Sequence, residues 1–221
     1  MEAIEASLRR RFRVVESTAD IDGRAITLLH PASAEELISE DDFARDERLP
    51  YWAELWPSSR ILAARLASMH GNGRRLLELG CGSGLVASCA AVAGFDVTAS
   101  DYYEDATLFS RVNAWRIARR AIGALTLDWR ALPPDLPRFE LVVASDVLYE
   151  RPYGPLVAAT IAASLAPGGV AIVADPGRVA RDAFLDALGQ NDLQLSGKEE
   201  VAYVAGEIRQ TITLYTIGFS R

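Results

Sequence analysis

Apolar and polar residues follow two different periods along most of this chain. From residue 74 onward, short apolar runs typical of buried strands alternate with longer segments in which apolar residues recur every three to four positions, as in helices. The predicted strands are "RRLLELG", "FDVTASD", "ALTLDW", "FELVVASDVLY" and "GVAIVADPGR". The predicted helices are "GLVASCAAVAG", "EDATLFSRVNAWRIARR", "YGPLVAATIAASLAPGG" and "RDAFLDALGQND". This alternation predicts parallel strands that are covered by helices on both faces.

Both ends of the chain depart from the alternation. Residues 11–29 contain two β-like runs around Asp22-Gly23, a dipeptide typical of a hairpin turn. Residues 193–219 contain two more β-rich runs with no helix between them, which predicts an antiparallel pair at the end of the sheet. The fold class is therefore α/β: a Rossmann-like sheet of about seven strands, mostly parallel, with an antiparallel C-terminal hairpin. We expect an N-terminal hairpin extension over residues 1–50 and one structural unit over residues 51–221.

Composition limits the classes of protein that remain. The 221 residues, 50% hydrophobic and 24% charged, suffice for one soluble domain with its own core. A net charge of −7 and a pI near 5.0 disfavour non-specific binding to nucleic acid or to an anionic membrane. No apolar run approaches the ~20 residues of a membrane span, and no signal peptide is evident, so we expect a cytoplasmic protein. Cys81, Cys89 and two histidines indicate neither a disulfide framework nor a metal site.

A glycine-rich turn follows the first predicted strand in "LLELGCGSGLVA", residues 76–87. Gly80, Gly82 and Gly84 allow the backbone to approach a ligand closely, and the next helix points its N-terminus at the same place. The second strand ends at Asp101, whose carboxylate can accept two hydrogen bonds from a ribose diol. A tight strand-to-helix connection would explain the glycines alone, but the turn and the carboxylate together predict an adenosine-containing cofactor.

The spacing of the glycines distinguishes two classes of cofactor. A nicotinamide-dinucleotide fingerprint G-x-G-x-x-G that starts at Gly80 requires glycine at position 85, where this chain has Leu85. The spacing found, G-x-G-x-G with an acidic residue two positions before it, resembles motif I of the class I S-adenosylmethionine-dependent methyltransferases, over roughly residues 74–220. The resemblance implies S-adenosyl-L-methionine as cofactor, with its ribose on Asp101. It assigns further cofactor contacts to residues of the motif: Glu78, Gly80, Cys81 and Gly82.

Three large aromatic residues crowd the entrance to the helix predicted to begin at Pro57, in "LPYWAELWPSSRILAARL". Together with "LDWR", "SDVLYE" and "DPGR", this segment resembles the methyltransferase family 16 group, best known for protein-lysine methyltransferases, and "DPGR" resembles its branch containing the electron-transfer-flavoprotein β-subunit lysine methyltransferase. The resemblance implies that Trp56 and Trp129 line the cofactor pocket and that Ser145 lies near the adenosine. Aromatic faces suit this role because they cover an apolar adenine and attract a sulfonium within about 6 Å.

Other aromatic and polar residues of these segments carry no such assignment. A Trp beside a helix can also fill the core, and this alternative stays open for Trp56 and for Trp52 with Tyr51. Glu54 and the "DPGR" segment receive no role. Trp115, within "RVNAWRIARR", is expected to pack in an ordinary helix interface.

Candidates for the chemistry lie in "SDVLY", directly after the fourth predicted parallel strand. Ligands of such sheets bind at the carboxyl ends of the strands, so Asp146 and Tyr149 should reach the place where acceptor and methyl group meet. Their D-x-x-Y spacing matches the family pattern around the substrate amine, and both are assigned a catalytic role. A carboxylate raises the pKa of a neighbouring ammonium, so Asp146 is expected to orient the amine and accept a proton, and not to neutralise the lysine by itself. Tyr149 either donates a hydrogen bond to the amine or forms a wall of the channel.

Three functions are compatible with these residues. The resemblance favours an N-methyltransferase that acts on a lysine side chain of a protein partner. Methylation of a small nitrogenous molecule, of nicotinamide or amine type, shares every cofactor motif. A non-catalytic cofactor-binding regulator of a partner is the third. The chain lacks the Asn/Asp-Pro-Pro-Tyr/Phe sequence of enzymes that methylate exocyclic base amines or glutamine amides, which disfavours those acceptors.

Overall fold

The chain begins with a helix and a β-hairpin, and the computed structural model describes residues 1–37 and 50–220. Helix α1 (Glu2–Arg11) leads into strands β1 (Val14–Ile21) and β2 (Arg24–Pro31). The two strands pair antiparallel around Asp22 and Gly23, which both have positive φ, as a two-residue hairpin turn requires. The predicted hairpin is therefore present, whereas α1 was not predicted.

A sheet of seven strands lies at the centre of the fold. Five parallel strands carry the apolar runs of the sequence: β3 (Arg75–Leu79), β4 (Asp96–Asp101), β5 (Gly123–Thr126), β6 (Phe139–Ser145) and β7 (Leu165–Asp175). Two long strands complete the sheet: β8 (Leu193–Ala205) and β9 (Ile208–Phe219). This confirms the predicted α/β class with a mostly parallel sheet and an antiparallel C-terminal pair.

The strand order is β5-β4-β3-β6-β7-β9-β8. The last strand of the chain thus lies between β7 and β8 and pairs antiparallel with both. The sequence predicted the antiparallel pair but not this insertion. Strands β3 and β6 are neighbours, but the strands that follow them in sequence lie on opposite sides: β4 and β5 beside β3, and β7 beside β6. Open α/β sheets bind ligands at such a reversal of strand order.

Helices cover both faces of the sheet because its strands are apolar on both sides. The neighbouring residues Leu76 and Leu77 show this, since they belong to separate buried clusters on opposite faces. Helices α2 (Pro57–Ala67) and α3 (Leu85–Val92) pack into the first cluster; α5 (Tyr153–Ser164) and α6 (Arg181–Gln190) pack into the second. Helix α4 (Glu104–Ala118) joins a third, smaller cluster with α1. Two single turns of 3₁₀ helix lie at Glu35–Leu37 and Tyr51–Ala53.

Besides α1 and the insertion of β9, the structure differs from the sequence-based expectation in two further places. Helix α5 ends at Ser164, and "LAPGG" belongs to β7, whose pairing with β6 shifts register between Phe139 and Leu141. The Pro and Gly residues therefore mark an irregular strand start and not the end of the helix. Trp115 is 39% exposed and does not belong to the three buried clusters, so its side chain packs only in part.

Asn113 of α4 connects the N-terminal hairpin to the central unit. Its fully buried side-chain amide accepts from Leu29 N–H at 2.8 Å and donates to the carbonyl oxygens of Leu29 and Ser83 at 2.7 and 2.8 Å. Through this one amide, β2 is tied to the glycine turn after β3. The expected boundary at residue 50 stays a prediction, and residues 38–49, which include Leu49 of the aromatic segment, lie outside the described residues.

Candidate active site

One cleft opens at the carboxyl ends of β3, β4 and β6, with a volume of about 990 Å³ that includes space open to solvent. Residues that follow parallel strands converge there because all carboxyl ends lie at the same edge of the sheet. Every site residue predicted from the sequence lines this cleft: Trp56, Glu78, Gly80, Cys81, Gly82, Asp101, Trp129, Ser145, Asp146 and Tyr149. Placement in one cleft makes the predicted assignments compatible, while their individual roles stay predictions.

The glycine turn brings backbone to the floor of the cleft. At Gly82, with φ +50°, an added Cβ would lie 2.8 Å from the carbonyl oxygen of Trp52, so a larger residue would displace that segment. At Gly84, with φ +85°, it would lie 2.5 Å from the Cα of Ser110 in α4. Both glycines are therefore required by close backbone contacts, and the turn leaves room for a ligand on its open side.

Asp101 ends β4 and holds the turn in place. Its carboxylate accepts hydrogen bonds from Gly82 N–H at 3.0 Å and Tyr103 N–H at 3.1 Å. Burial raises the pKa of Asp101 to about 6, although these backbone donors act in the opposite direction. The carboxylate is thus largely ionised at neutral pH and can accept further hydrogen bonds from a diol in the cleft.

Glu78, at the end of β3, is the most deeply buried acid of the cleft at 1% exposure. Burial raises the pKa of Glu78 well above its usual value. A hydrogen bond with the Ala87 backbone lowers this pKa in part, and the nearby negative charge of Asp101 raises it further. Burial likewise raises the pKa of the Cys81 thiol well above its usual range. Cys81 therefore stays protonated at neutral pH and is not a nucleophile.

Five aromatic rings form a continuous row along the cleft, each meeting the next edge to face. The ring centres are 5.9 Å apart for Trp56 and Tyr51, 5.5 Å for Tyr51 and Tyr149, 5.2 Å for Tyr149 and Tyr153, and 5.6 Å for Tyr153 and Trp129. Such contacts fix ring orientation. The two predicted tryptophans thus lie at opposite ends of the row, with Tyr149 between them.

Asp146 follows β6 in a left-handed backbone conformation, φ +60°, which Asp tolerates better than most residues. Its backbone N–H donates to the carbonyl oxygen of Ala174 at 2.9 Å, so the turn continues the pairing with β7. Its Oδ1 accepts a 2.6 Å hydrogen bond from Nε of Arg178, while its buried Oδ2 has no partner among the described residues.

The segment "DPGR" after β7 places Arg178 against Asp146. The Asp175 carboxylate, 1% exposed, accepts from Gly177 N–H at 2.7 Å and from Arg178 N–H at 3.1 Å, which fixes the backbone of the turn. The guanidinium carbon of Arg178 lies 5.2 Å from the centre of the Trp56 ring. Arg178 thus contacts both a predicted catalytic residue and a predicted cofactor wall.

The residues present fit an adenosine-bearing cofactor. Five buried side-chain polar atoms lack a partner within residues 1–37 and 50–220, and three of them belong to the cleft: Glu78 Oε2, Trp129 Nε1 and Asp146 Oδ2. Buried polar atoms are normally hydrogen-bonded, so a cluster of unpaired ones indicates a ligand site. Within the same described ranges, no group of three or more His, Cys, Asp or Glu residues is arranged to hold a metal ion.

Sequence reasoning missed several residues of this site. Tyr51, Tyr153 and Arg178 carried no assignment, although the rule that site residues follow strands applies to Arg178 just as it does to Asp146. Trp52 and Glu54 also line the cleft, and the Trp52 ring packs against Phe109 in the small cluster beside α1. Trp52 is thus partly a core residue whose backbone carbonyl closes over the glycine turn.

This combination of a seven-stranded sheet with an inserted last strand, a glycine turn and an acid after the next strand defines a class I methyltransferase fold. The sequence matches the family model described as "Methyltransferase domain" over residues 49–200, and the chain belongs to that family. Membership confirms the predicted class of domain, a methyltransferase domain of the S-adenosylmethionine-dependent type.

Known proteins similar to the chain include protein-lysine methyltransferases. Over 149 residues it is 31% identical to the protein-lysine N-methyltransferase rrg1 of Schizosaccharomyces pombe, covering 61% of this chain and 48% of that protein. It is 29% identical to the electron transfer flavoprotein beta subunit lysine methyltransferase of Xenopus laevis, covering 68% of this chain and 64% of that protein. The chain thus spans about half to two thirds of the length of these relatives.

A solved structure shows the same fold at low identity. The magnesium protoporphyrin IX methyltransferase ChlM from Synechocystis PCC 6803, solved with bound SAM, superposes with a TM-score of 0.58 at 18% identity. The match covers 84% of this chain and 98% of that one. In the described part of this chain, no helix is long and apolar enough to cross a membrane, and the cytoplasmic location stays a prediction.

Proposed function

We propose that this protein transfers a methyl group from S-adenosylmethionine to the ε-amine of a lysine in a protein partner. The observation that carries the proposal is the arrangement beside Asp146. A buried carboxylate oxygen without a partner lies in a cleft walled by Tyr51, Tyr149 and Trp56. Carboxylates and aromatic faces are the groups that recognise an amine at the end of an aliphatic chain.

The cofactor is expected to occupy the part of the cleft formed by β3 and β4. When bound, it supplies a methyl group activated by a positively charged sulfur. Asp101 would accept hydrogen bonds from the ribose, the turn at Gly80 and Gly82 would admit the cofactor close to the backbone, and Trp129 would donate its unpaired Nε1–H. Ser145 is the last residue of β6, directly precedes Asp146 and lines the same cleft.

Asp146 and Tyr149 are expected to orient the acceptor. Asp146 Oδ2 would accept a hydrogen bond from the amine and direct its lone pair, because positioning contributes most when the leaving group is already activated. Burial raises the pKa of Tyr149 above its usual value, so its hydroxyl stays protonated and can donate a hydrogen bond but cannot act as a base. Tyr149 also fills the middle of the aromatic row, which excludes water from the channel.

The relatives support a protein acceptor without identifying it. Similar proteins are named for lysine methylation of different partners, and another, 28% identical over 103 residues, is a ubiquinone biosynthesis O-methyltransferase of Bordetella avium. The proteins similar to this chain are therefore named for more than one kind of methyl transfer. The carboxylate and aromatic residues around the acceptor position favour an amine.

The test uses S-adenosylmethionine labelled in its methyl group and a lysate of cells that lack this gene. The purified protein is expected to place label in a discrete protein band, and hydrolysis of that band should release methylated lysine. Asp146→Asn, folded and still able to bind S-adenosylhomocysteine, serves as the matched inactive control. Label confined to small molecules would refute the protein-lysine assignment in favour of a small nitrogenous acceptor. Label in neither fraction would refute methyl transfer to any acceptor in that lysate.

A further inference from the structure

Arg178 is the one cation that the structure places on the candidate catalytic carboxylate among the described residues. It occupies Oδ1 of Asp146 and leaves Oδ2, buried and without a described partner, for a group in the cleft. Its side chain is 34% exposed, whereas that of Asp146 is only 4% exposed. The carboxylate is therefore presented to the acceptor as half of an ion pair and not as an isolated negative charge.

An isolated carboxylate and a carboxylate paired with a cation affect the protonation of a bound amine differently. Methyl transfer requires the neutral amine, because the nitrogen lone pair forms the new bond, yet free lysine has a pKa of about 10.4. Asp146 alone would stabilise the ammonium form and oppose the reaction. A fixed guanidinium on its other oxygen offsets that negative charge and repels a second cation, while Oδ2 still accepts a hydrogen bond from N–H.

The position of Arg178 is built into the sheet. Strands β6 and β7 are adjacent, with Ser145 opposite Ala174, so the turns that follow them meet at the cleft edge. Asp175 binds the backbone N–H groups of Gly177 and Arg178, and the Trp56 ring lies beside the guanidinium. The Asp175 turn, the Trp56 ring and the Asp146 carboxylate thus fix the position of the Arg178 guanidinium.

We propose that Arg178 is a positioning residue that, through Asp146, makes the acceptor subsite select a neutral amine over an ammonium ion. The inference rests on the proposed function, since it concerns the amine that Asp146 receives. In this proposal the amine loses its proton to water before it is seated, so Asp146 accepts a hydrogen bond through Oδ2 and is not the proton acceptor expected from the sequence.

Other titratable groups surround this pair and are common to all the variants compared below. They are Asp175 after β7, Glu54 and Tyr51 before α2, Tyr149 after β6 and Tyr153 at the start of α5. Burial raises the pKa of Tyr149, so it does not ionise within the pH range used. A difference between Arg178 variants therefore reports the guanidinium.

The first test measures binding of n-butylamine, a mimic of the lysine side chain, to protein saturated with S-adenosylhomocysteine, followed by tryptophan fluorescence from pH 7 to pH 10. Wild type should bind more tightly by about tenfold per pH unit, because only the neutral amine is accepted. Arg178→Met should bind at least about tenfold more tightly than wild type at pH 7, with a flatter pH dependence, because the ammonium is now tolerated. Arg178→Lys keeps the charge and should retain the wild-type slope.

Arg181→Met is the matched control. Arg181 lies three positions further along the chain, pairs with Asp182 at the surface and does not line the cleft, so wild-type behaviour is expected. The proposal is overturned if Arg178→Met follows the wild-type pH dependence, or if wild type binds the amine equally at pH 7 and pH 10 or not at all.

The second test separates this proposal from the proposed function. In the lysate assay with methyl-labelled S-adenosylmethionine, Arg178→Met should incorporate label about tenfold more slowly than wild type at pH 7. Its rate should approach that of wild type near pH 10, because the amine then deprotonates in solution. A loss that is the same at every pH would indicate a purely structural role and overturn the proposal. Label found in small amines instead of protein would refute the lysine assignment, while the n-butylamine result would still decide the role of Arg178.

Discussion

Acidification should weaken cofactor binding through Asp101. The carboxylate is 7% exposed, its pKa is raised to about 6 by burial, and it already accepts two backbone hydrogen bonds. If it also receives the ribose hydroxyls, the ionised form is the better acceptor, and protonation replaces an acceptor with a donor. Lowering the pH from 7 to 5 therefore protonates the Asp101 carboxylate, the group expected to bind the ribose.

The magnitude follows from the pKa. When only the ionised form binds, the apparent Kd increases by the factor 1 + 10^(pKa − pH), so a pKa of about 6 gives roughly tenfold weaker binding at pH 5 than at pH 7. Between pH 7 and pH 8 the expected change is negligible. Protonation of Asp101 does not weaken binding by unfolding the protein. The pKa of Asp101 is raised in the folded state, so its protonation stabilises the fold as the pH falls through about 6.

Isothermal titration calorimetry with S-adenosylhomocysteine at pH 5, 6, 7 and 8 measures the effect. Asp101→Asn should bind more weakly at pH 7 and lose this part of the pH dependence, while thermal unfolding checks that it is folded. Glu78→Gln is the second control, because burial also raises the pKa of Glu78. A wild-type Kd that is constant from pH 5 to pH 7, or an Asp101→Asn protein that keeps the full slope, would refute the reasoning.

Four further predictions test the remaining assignments. Asp146→Asn, which suits the left-handed backbone, should keep most of the cofactor affinity and lower methyl transfer by a factor on the order of 10², and a wild-type rate would contradict a catalytic role. Tyr149→Phe keeps the ring and should be milder in the same assay; a larger loss than that of Asp146→Asn would show that the hydroxyl dominates. Trp56→Ala should weaken S-adenosylhomocysteine binding by calorimetry more than Trp115→Ala, because Trp115 is 39% exposed outside the cleft, and equal affinities would make Trp56 a core residue. Asn113→Leu removes three buried hydrogen bonds and should lower the free energy of unfolding in urea by about 3 kcal/mol, whereas a loss below about 1 kcal/mol would contradict the tie it forms.

The sequence was sufficient wherever the cause is local. The hairpin turn follows from Asp22-Gly23 because both residues accept positive φ, and the strands follow from apolar runs that suit two buried faces. The turn follows from glycines that close backbone contacts require, and the resemblance of their spacing to motif I of the S-adenosylmethionine-dependent methyltransferases indicated the cofactor class. Because parallel strands deliver the residues at their carboxyl ends to one edge, the sequence also predicted that the site residues other than Trp56, which precedes α2, would share one cleft.

The tertiary structure decided which of these local elements became neighbours. Insertion of β9 between β7 and β8 depends on pairing across the whole sheet, and no local pattern specifies it. The ion pair of Arg178 with Asp146 joins residues 32 positions apart, and it exists because β6 and β7 are adjacent and the Asp175 turn aims the arginine. The contact of Tyr51 with Tyr149 likewise needs the entrance of α2 to lie over the end of β6. A sequence determines where strands end, but only the packed sheet determines whose side chains meet there, because each such contact requires two distant turns to be fixed at once.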